Sequence, residues 1–440
     1  MAEKAYVITD LGPGDGGKGG VVEAVTEKVH ARVVIKEGGA QGSHGVVLSD
    51  GRKFNFSQWG CGTFQGVPTY ISSRFVMSPI GLLNEADALG KVGITNAFEL
   101  LSADPDCVCA TPYHQVWSQL YEISLKDRPH GTVGTGVGKA WQLAMVEPEL
   151  TIRSEMLTDR DKVRNILEKQ RNFVCDLYGH LTRDDVLPQD IPYLTRNLSA
   201  LANDFAVDDI ADRICLAGWN LHLQEMRDVV RPAGNIVVER SHGVLTDSET
   251  GFKPHVSSLR TLPIFTRRLL AYHGFSGKVV NLGVHRAYEI RHGAGPMPTE
   301  DAALRESLLP HSHKDSNRWQ GDVRVGALDL MLLAHALGAC GGSIEFDGIC
   351  LTWFDQILLN GVWNVCSAYS INRNVILPFT KLDTRMLGLA KPLLTQFGLP
   401  TRENNSNLLL DTCKDVFEST LNLPVKLISF GPHREDKQFL

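Results

Sequence analysis

Short apolar runs recur along the chain, bounded by glycine or polar residues, and between them lie longer stretches whose apolar positions fall at helical spacing. That alternation predicts an α/β fold: a central, mostly parallel β-sheet with helices packed around it. Strands are predicted at Ala5 to Ile8, Arg32 to Lys36, Ile236 to Glu239, Lys278 to Leu282, Gly348 to Thr352 and Val425 to Ser429. Several end in glycine or polar residues, as strands leading into site loops do. From Arg153 to Arg231 the chain is rich in Asp, Arg, Leu and Asn at helical spacing, and Asp383 to Glu418 reads similarly. Both are expected as helical insertions, about 153–231 and 383–418, in a single domain spanning 1–440. No internal repeat, low-complexity segment or clear linker interrupts it.

Composition narrows the function classes. The chain has 440 residues, of which 43% are hydrophobic and 21% charged, so it can bury an ample core. A formal net charge of −6 argues against a general nucleic-acid surface, and anionic substrates need local positive sites. The nine cysteines include Cys107 and Cys109 but no CxxC pair, so reduced thiols and a cytoplasmic location are expected. No apolar run is long enough to span a bilayer. Small molecules are the expected partners, with neither nucleic acid nor membrane.

Three glycine-rich loops carry the chemistry. Gly12-Pro13-Gly14-Asp15-Gly16-Gly17-Lys18-Gly19-Gly20 follows the first strand and opens a helix, the layout of a phosphate site on a helix N-terminus that makes the fold P-loop-like. Its spacing meets the P-loop pattern through Lys18, but Gly19 stands where Ser or Thr normally holds magnesium, so a metal must find its ligand elsewhere. Asp15, a carboxylate inside a phosphate loop, suits a metal ligand or a proton acceptor. Gly38-Gly39-Ala40-Gln41-Gly42-Ser43-His44-Gly45 places one histidine among backbone donors, where it can serve oxygens that gain charge. The third loop runs His130-Gly131-Thr132-Val133-Gly134-Thr135-Gly136-Val137-Gly138-Lys139 and suits an anion, or a plain flexible connection.

Taken in order, these loops resemble the adenylosuccinate synthetase family. The first is similar to its GDEGKGK, the second to GGxNAGHT and the third to GTTGRGIGP. Further on, Glu239-Arg240-Ser241-His242-Gly243 is similar to EGAQG, and Val256-Ser257-Ser258 falls where the family has VTSS. The run His292 to Glu300 resembles VGxGPFPTE, Trp319 to Asp329 resembles TTGRxRRxGWxD with one deletion, Leu351 to Asp355 resembles LTKLD, and Ile428 to Pro432 resembles ISxGP.

The resemblance implies a magnesium-dependent C–N ligase that condenses L-aspartate with an IMP-like purine nucleotide, using GTP, through a phosphorylated intermediate. Carried over residue by residue, it makes Asp15 the base and a metal ligand, His44 the acid, Lys18 a phosphate clamp, and Ser43 a second metal contact through its backbone. Gly14, Gly16, Gly17, Gly19 and Gly20 would cradle the nucleotide with Lys18. Asp355 would read the guanine edge beside Ser429 and Gly431, with Trp353 covering the base and Arg324 holding the nucleotide. Gln41, Thr132, Val133, His242, Ser257, Gly295, Thr299 and Asp322 would line the acceptor and amino-acid side. A homodimer is implied as well.

The acceptor side departs from the family. Val133 replaces a threonine, Thr135 an arginine, His242 a glutamine, Gln41 an asparagine and Asp322 an arginine. Glu147-Pro148-Glu149 occupies the region of the arginine that reaches a neighbouring subunit's substrate. Trp353 replaces a lysine, and an indole stacks on any purine. Lys139, Arg240, Arg260, Arg291 and Arg318 lie in or beside site loops as candidate replacements, and each also fits a solvated surface charge. Two further readings stay open: a ligase of the same chemistry with another acceptor, or with ATP, in specialised or phage-type purine metabolism; and a non-catalytic nucleotide-binding protein.

Overall fold

The computed structural model describes residues 3–311, 318–399 and 406–440. Among them, eleven strands form one sheet. Across it lie Lys437–Phe439, Val425–Ser429, Gly348–Thr352, Lys278–Arg286, Lys4–Asp10, Ile236–Gly243, Val33–Gly39, Thr69–Met77, Leu101–Ala103 and His222–Leu223, with Val108–Cys109 also on Thr69–Met77. All pairs are parallel except the edge pair of Lys437–Phe439 with Val425–Ser429. Every predicted strand is present, four of them extended by two to four residues toward their loops. Their apolar runs read plainly because helices cover both faces: Val7, Ile8, Val34, Ile35, Val237 and Val238 are buried. A parallel sheet sets its strand C-termini along one edge, so the loops after Asp10, Gly39, Gly243, Arg286, Thr352 and Ser429 share a rim.

Between Arg153 and Arg231 lie the helices Arg160–Tyr178, Ile191–Ala202, Ala206–Asn220 and Met226–Val230, with the short strand His222–Leu223 among them. The expectation for 383–418 needs correction. After helix Thr384–Leu389 comes a strand, Lys391–Gly398, before helix Ser406–Leu421; residues 400–405 of that span lie outside the described ones. The strand pairs antiparallel with Val362–Ile371 in a second, four-stranded sheet. Most of its residues are exposed, so no alternation of buried and open positions marks it in the sequence.

Two large cores support the rim. One packs the first helix, Lys18–Lys28, and the 69–230 region against one part of the main sheet; the other packs the small sheet and helix Leu330–Ala339 against its far part.

Candidate functional site

The first loop is folded around a carboxylate at its base. Asp10, fully buried, accepts from the backbone N–H of Gly12 at 2.8 Å and of Gly16 at 2.9 Å, and from Lys18 Nζ at 2.6 Å. Burial alone would raise the Asp10 pKa, but Lys18 and the two N–H donors outweigh it and hold it below the usual carboxylate range. Lys18 is thus balanced by Asp10. Gly17, in the left-handed region at φ 80°, caps the first helix, whose first turn has no side-chain cap and no acidic residue. Its N–H groups therefore face the rim. A side chain at Gly19 would sit 2.3 Å from the carbonyl oxygen of Gly45, so glycine there lets the helix press against the second loop.

Asp15 itself adopts φ 59°. Its Oδ2 lies 2.8 Å from His292 Nδ1, and its carbonyl accepts from Arg286 Nε at 2.7 Å. Buried Arg286 also donates to the Tyr288 hydroxyl at 2.7 Å and lies 4.3 Å from the centre of the Trp353 ring. Neither His292 nor Arg286 was singled out from the sequence as a site residue. His292 stands inside a recognisable motif, whereas Arg286 lies in no motif.

In the second loop, His44 Nδ1 is 2.6 Å from Glu239 Oε1. Glu239 also accepts from Lys36 Nζ at 2.7 Å and from the Cys61 backbone N–H at 2.8 Å. Burial would raise the Glu239 pKa, but Lys36 and His44 more than offset it and keep the carboxylate ionised. Burial lowers the His44 pKa to about 4, so the ring is neutral at pH 7. Its Nε2 is buried and makes no hydrogen bond. Lys36 and Glu239 were missed as a pair; the legible signal is a lysine directly after the apolar run Val33-Val34-Ile35. Ser43 is exposed, and Gln41 contacts His242 through their Nε2 atoms. Burial pushes the His242 pKa down to about 3.

On one flank, strand Glu289–His292 pairs antiparallel with Val323–Gly326, and the His292–Asp15 contact ties this strand pair to the first loop. Arg324 is committed within it: Nη1 donates to the Gly295 carbonyl at 2.7 Å and Nε to Glu300 at 2.9 Å. Thr299 is buried with Oγ1 unpartnered, and Asp322 is exposed. Thr132 is exposed and Val133 half-buried in the third loop, which Glu122 holds through the N–H groups of His130 and Gly131. Ser257 is half-buried and donates its N–H to Thr246 at 2.7 Å.

On the other flank, Trp353 adopts φ 58° and its indole approaches Gly17. Asp355 accepts from Gln356 at 2.6 Å, and Ser429 Oγ donates to the Gly431 carbonyl at 2.9 Å. Between them and Gly20 sits Lys437, which donates to the carbonyls of Gly431, Pro432 and His433 at 3.2, 2.9 and 2.6 Å. Burial lowers its pKa to about 8. It belongs to no motif and was not foreseen.

The candidate replacement cations separate. Lys139 lies 3.7 Å over the Tyr121 ring, and Arg318 pairs with Asp190 of the helical stretch. Arg291 is buried, donating to the Ala294 carbonyl at 3.0 Å, and burial lowers its pKa to about 10. Arg240 and Arg260 instead line a cavity with Arg74.

An uncapped helix N-terminus, a carboxylate in the loop before it and a histidine braced by a buried glutamate share one rim of a parallel sheet, the layout of an α/β fold with a candidate phosphate site. The adenylosuccinate synthetase profile matches residues 7–438. Curated adenylosuccinate synthetases from Marinomonas sp. (strain MWYL1) and Hahella chejuensis (strain KCTC 2396) are 28% and 27% identical, each alignment covering 98% of this chain and 97% of the relative. The solved structure of fully ligated adenylosuccinate synthetase from Plasmodium falciparum superposes with a TM-score of 0.77 at 19% identity, covering 99% of both chains. A cyanophage S-2L succinoaminodeoxyadenylate synthetase, bound to dGMP and to dATP as an energy donor, gives 0.56 at 13% identity, covering 100% of this chain and 96% of that one. This chain belongs to the adenylosuccinate synthetase family, a family of ligases that form C–N bonds. No described helix is long and apolar enough to cross a membrane.

Proposed function

We propose that this protein condenses L-aspartate with a purine nucleotide of the IMP type, driven by GTP, in a phosphorylate-then-displace reaction. One observation carries the reading: His44 presents a bare Nε2 beside the uncapped first helix while Glu239 braces its other nitrogen. In this proposal Asp15 takes the proton from the base so that the base's carbonyl oxygen attacks the γ-phosphate. An arriving phosphate beside Nε2 favours the imidazolium that burial otherwise disfavours, and Glu239 steadies that charge. His44 then hydrogen-bonds the oxygens that gain negative charge, and the aspartate amine displaces the phosphate.

The donor set at the loop fits magnesium, a hard cation that takes oxygen. Asp15 offers a partly exposed carboxylate, and the Ser43 backbone would be a second contact. When bound, the metal would neutralise phosphate oxygens. The buried trio His44, Cys61 and Glu239 has donor atoms within 4.8 Å of one another, but its carboxylate is already engaged by Lys36 and His44. Asp355 with Ser429, Gly431 and Lys437 is proposed to receive the donor base. A homodimer in the cytoplasm completes the proposal, and nine free cysteines suit a reducing compartment.

The test is phosphate release with GTP or ATP, IMP and aspartate, supplied singly and together. We expect release only with GTP and both other substrates, and Asp15→Ala should lower kcat by about 10²–10⁴-fold. Release independent of acceptor and amino acid, or an unaffected Asp15→Ala enzyme, would refute the proposal.

A further inference from the structure

Beside the His44 loop lies a cavity whose walls include Glu37, Arg74, Arg240, His242, Arg260 and Thr261. Three guanidinium groups meet there. Arg260 is held by Asp247 at 3.2 Å and by Glu249 at 2.7 Å. Arg74 and Arg240 share one carboxylate, Glu37, and only at 3.9 and 3.6 Å, beyond good hydrogen-bond length. Glu37 turns its Oε2 to the Thr266 hydroxyl at 2.6 Å instead. Arg74 donates through Nη2 to the Arg260 carbonyl at 3.2 Å, but Arg74 Nε, Arg240 Nε and Nη1, and Thr261 Oγ1 are buried without partners, and they outnumber the one unpartnered acceptor beside them, Glu37 Oε1. Arg240 is only 4% exposed. Folded proteins rarely leave a buried guanidinium so poorly matched, and the donors left over point to an absent acceptor.

We infer that this cavity is an oxyanion subsite in which Arg240 and Arg74 fork onto a terminal phosphate or carboxylate of a substrate. With Asp247 and Glu249 on Arg260 and Glu37 shared by Arg74 and Arg240, three carboxylates face three guanidinium groups, so the pull on an anion comes from the unpaired N–H donors of Arg74 and Arg240 rather than from net charge. The space that admits water is about 30 Å³, room for two or three waters. It therefore takes a terminal anionic group and leaves the rest of the substrate outside. His242 lines the cavity and touches Gln41 of the second loop, so an anion held here would sit next to the reacting centre. The geometry assigns Arg240, which stands at a glycine position of the family motif, the orienting of a substrate that family residues no longer grip. Planar bidentate donors suit both oxyanions, so two sources share this chemistry: the acceptor's monophosphate and the amino acid's carboxylate.

This inference rests on the ligase reading for its substrates but not for its test. Calorimetric titration of the full chain with inorganic phosphate, and separately with L-aspartate, is compared between wild type, Arg240→Met and Arg240→Lys, with thermal unfolding as a check on folding. At least tenfold weaker binding of one anion is expected in Arg240→Met, with partial recovery in Arg240→Lys. Initial rates then identify the source: a tenfold rise in KM for the monophosphate acceptor, absent with the corresponding nucleoside, assigns phosphate, whereas a rise in KM for aspartate assigns carboxylate. Unchanged binding of both anions in folded variants overturns the subsite. If no acceptor supports turnover the ligase reading fails, while the calorimetry still decides the cavity. Should Arg240→Met not fold, Arg240→Lys and Arg74→Lys carry the same comparison.

Discussion

Two neighbouring rungs of one strand pair treat buried charge in opposite ways. In the pairing of Val33–Gly39 with Ile236–Gly243, Lys36 lies opposite Glu239 and Glu37 opposite Arg240. Successive side chains in a strand point to opposite faces, so the first pair enters the side behind His44 and the second the cavity side. Lys36 and Glu239 meet at 2.7 Å, with His44 and the Cys61 N–H using the remaining lone pairs. Glu37 and Arg240 stop at 3.6 Å, with donors unused. The closed cluster fixes His44, the proposed acid, in place; the open one leaves the donors that the inferred subsite would use. The difference separates what is built to be rigid from what is built to receive.

The sharpest way to break this comparison is Glu239→Gln. It leaves Lys36 buried without its counter-charge, and a loss of about 3–5 kcal/mol of stability is expected, with activity falling as His44 loses its brace. Chemical unfolding measures the first and phosphate release the second. Glu37→Gln on the open rung should cost less, about 1–3 kcal/mol, because it removes the charge from two long ion contacts while the amide carbonyl still accepts from Thr266. It should also tighten phosphate binding, since a repelling charge leaves the cavity. Equal destabilisation by the two variants would erase the distinction between the rungs.

The smallest expected effect is on pH dependence, where a second contrast between buried histidines can be read. His44 is held at about 4 by burial, so its contribution is present above the unfolded value of 6.5 and is lost as pH falls from there toward 4. For His285 burial also opposes the charge, but Glu289 at 3.1 Å outweighs it and raises the pKa to about 9. Its contribution is present below 6.5 and lost as pH rises through 9. Each adds at most about 1.4 kcal/mol per pH unit to the slope. Against wild type, His44→Asn should flatten the acid limb of a stability profile and His285→Asn the alkaline limb; the reverse assignment would contradict both environments.

Much of this is legible in the sequence. The six core strands stood out because a sheet covered on both faces writes itself as apolar runs. The three loops stood out because close backbone approach demands glycine, as Gly19 against Gly45 illustrates. Strand Lys391–Gly398 escaped notice because it buries no regular face, and only its partner Val362–Ile371 makes it a strand. Lys437 escaped because the carbonyls and Gly20 around it are gathered by the fold, not by any motif. Arg240 and Arg260 could be named as spare cations, yet Arg318 and Lys139 fitted the same description and are engaged elsewhere.

By itself, then, the sequence determined six of the eleven strands of the sheet, the order of its glycine-rich loops and the residue types offered to phosphate, since these follow from local periodicity and from the steric freedom of glycine. Only the tertiary structure decided which charges are matched. That choice depends on the register of strands some 200 residues apart, which brings Lys36 and Glu239 to full contact and leaves Glu37 and Arg240 short of it. Distance and burial set the strength of a charge pair, and neither is written in the order of residues.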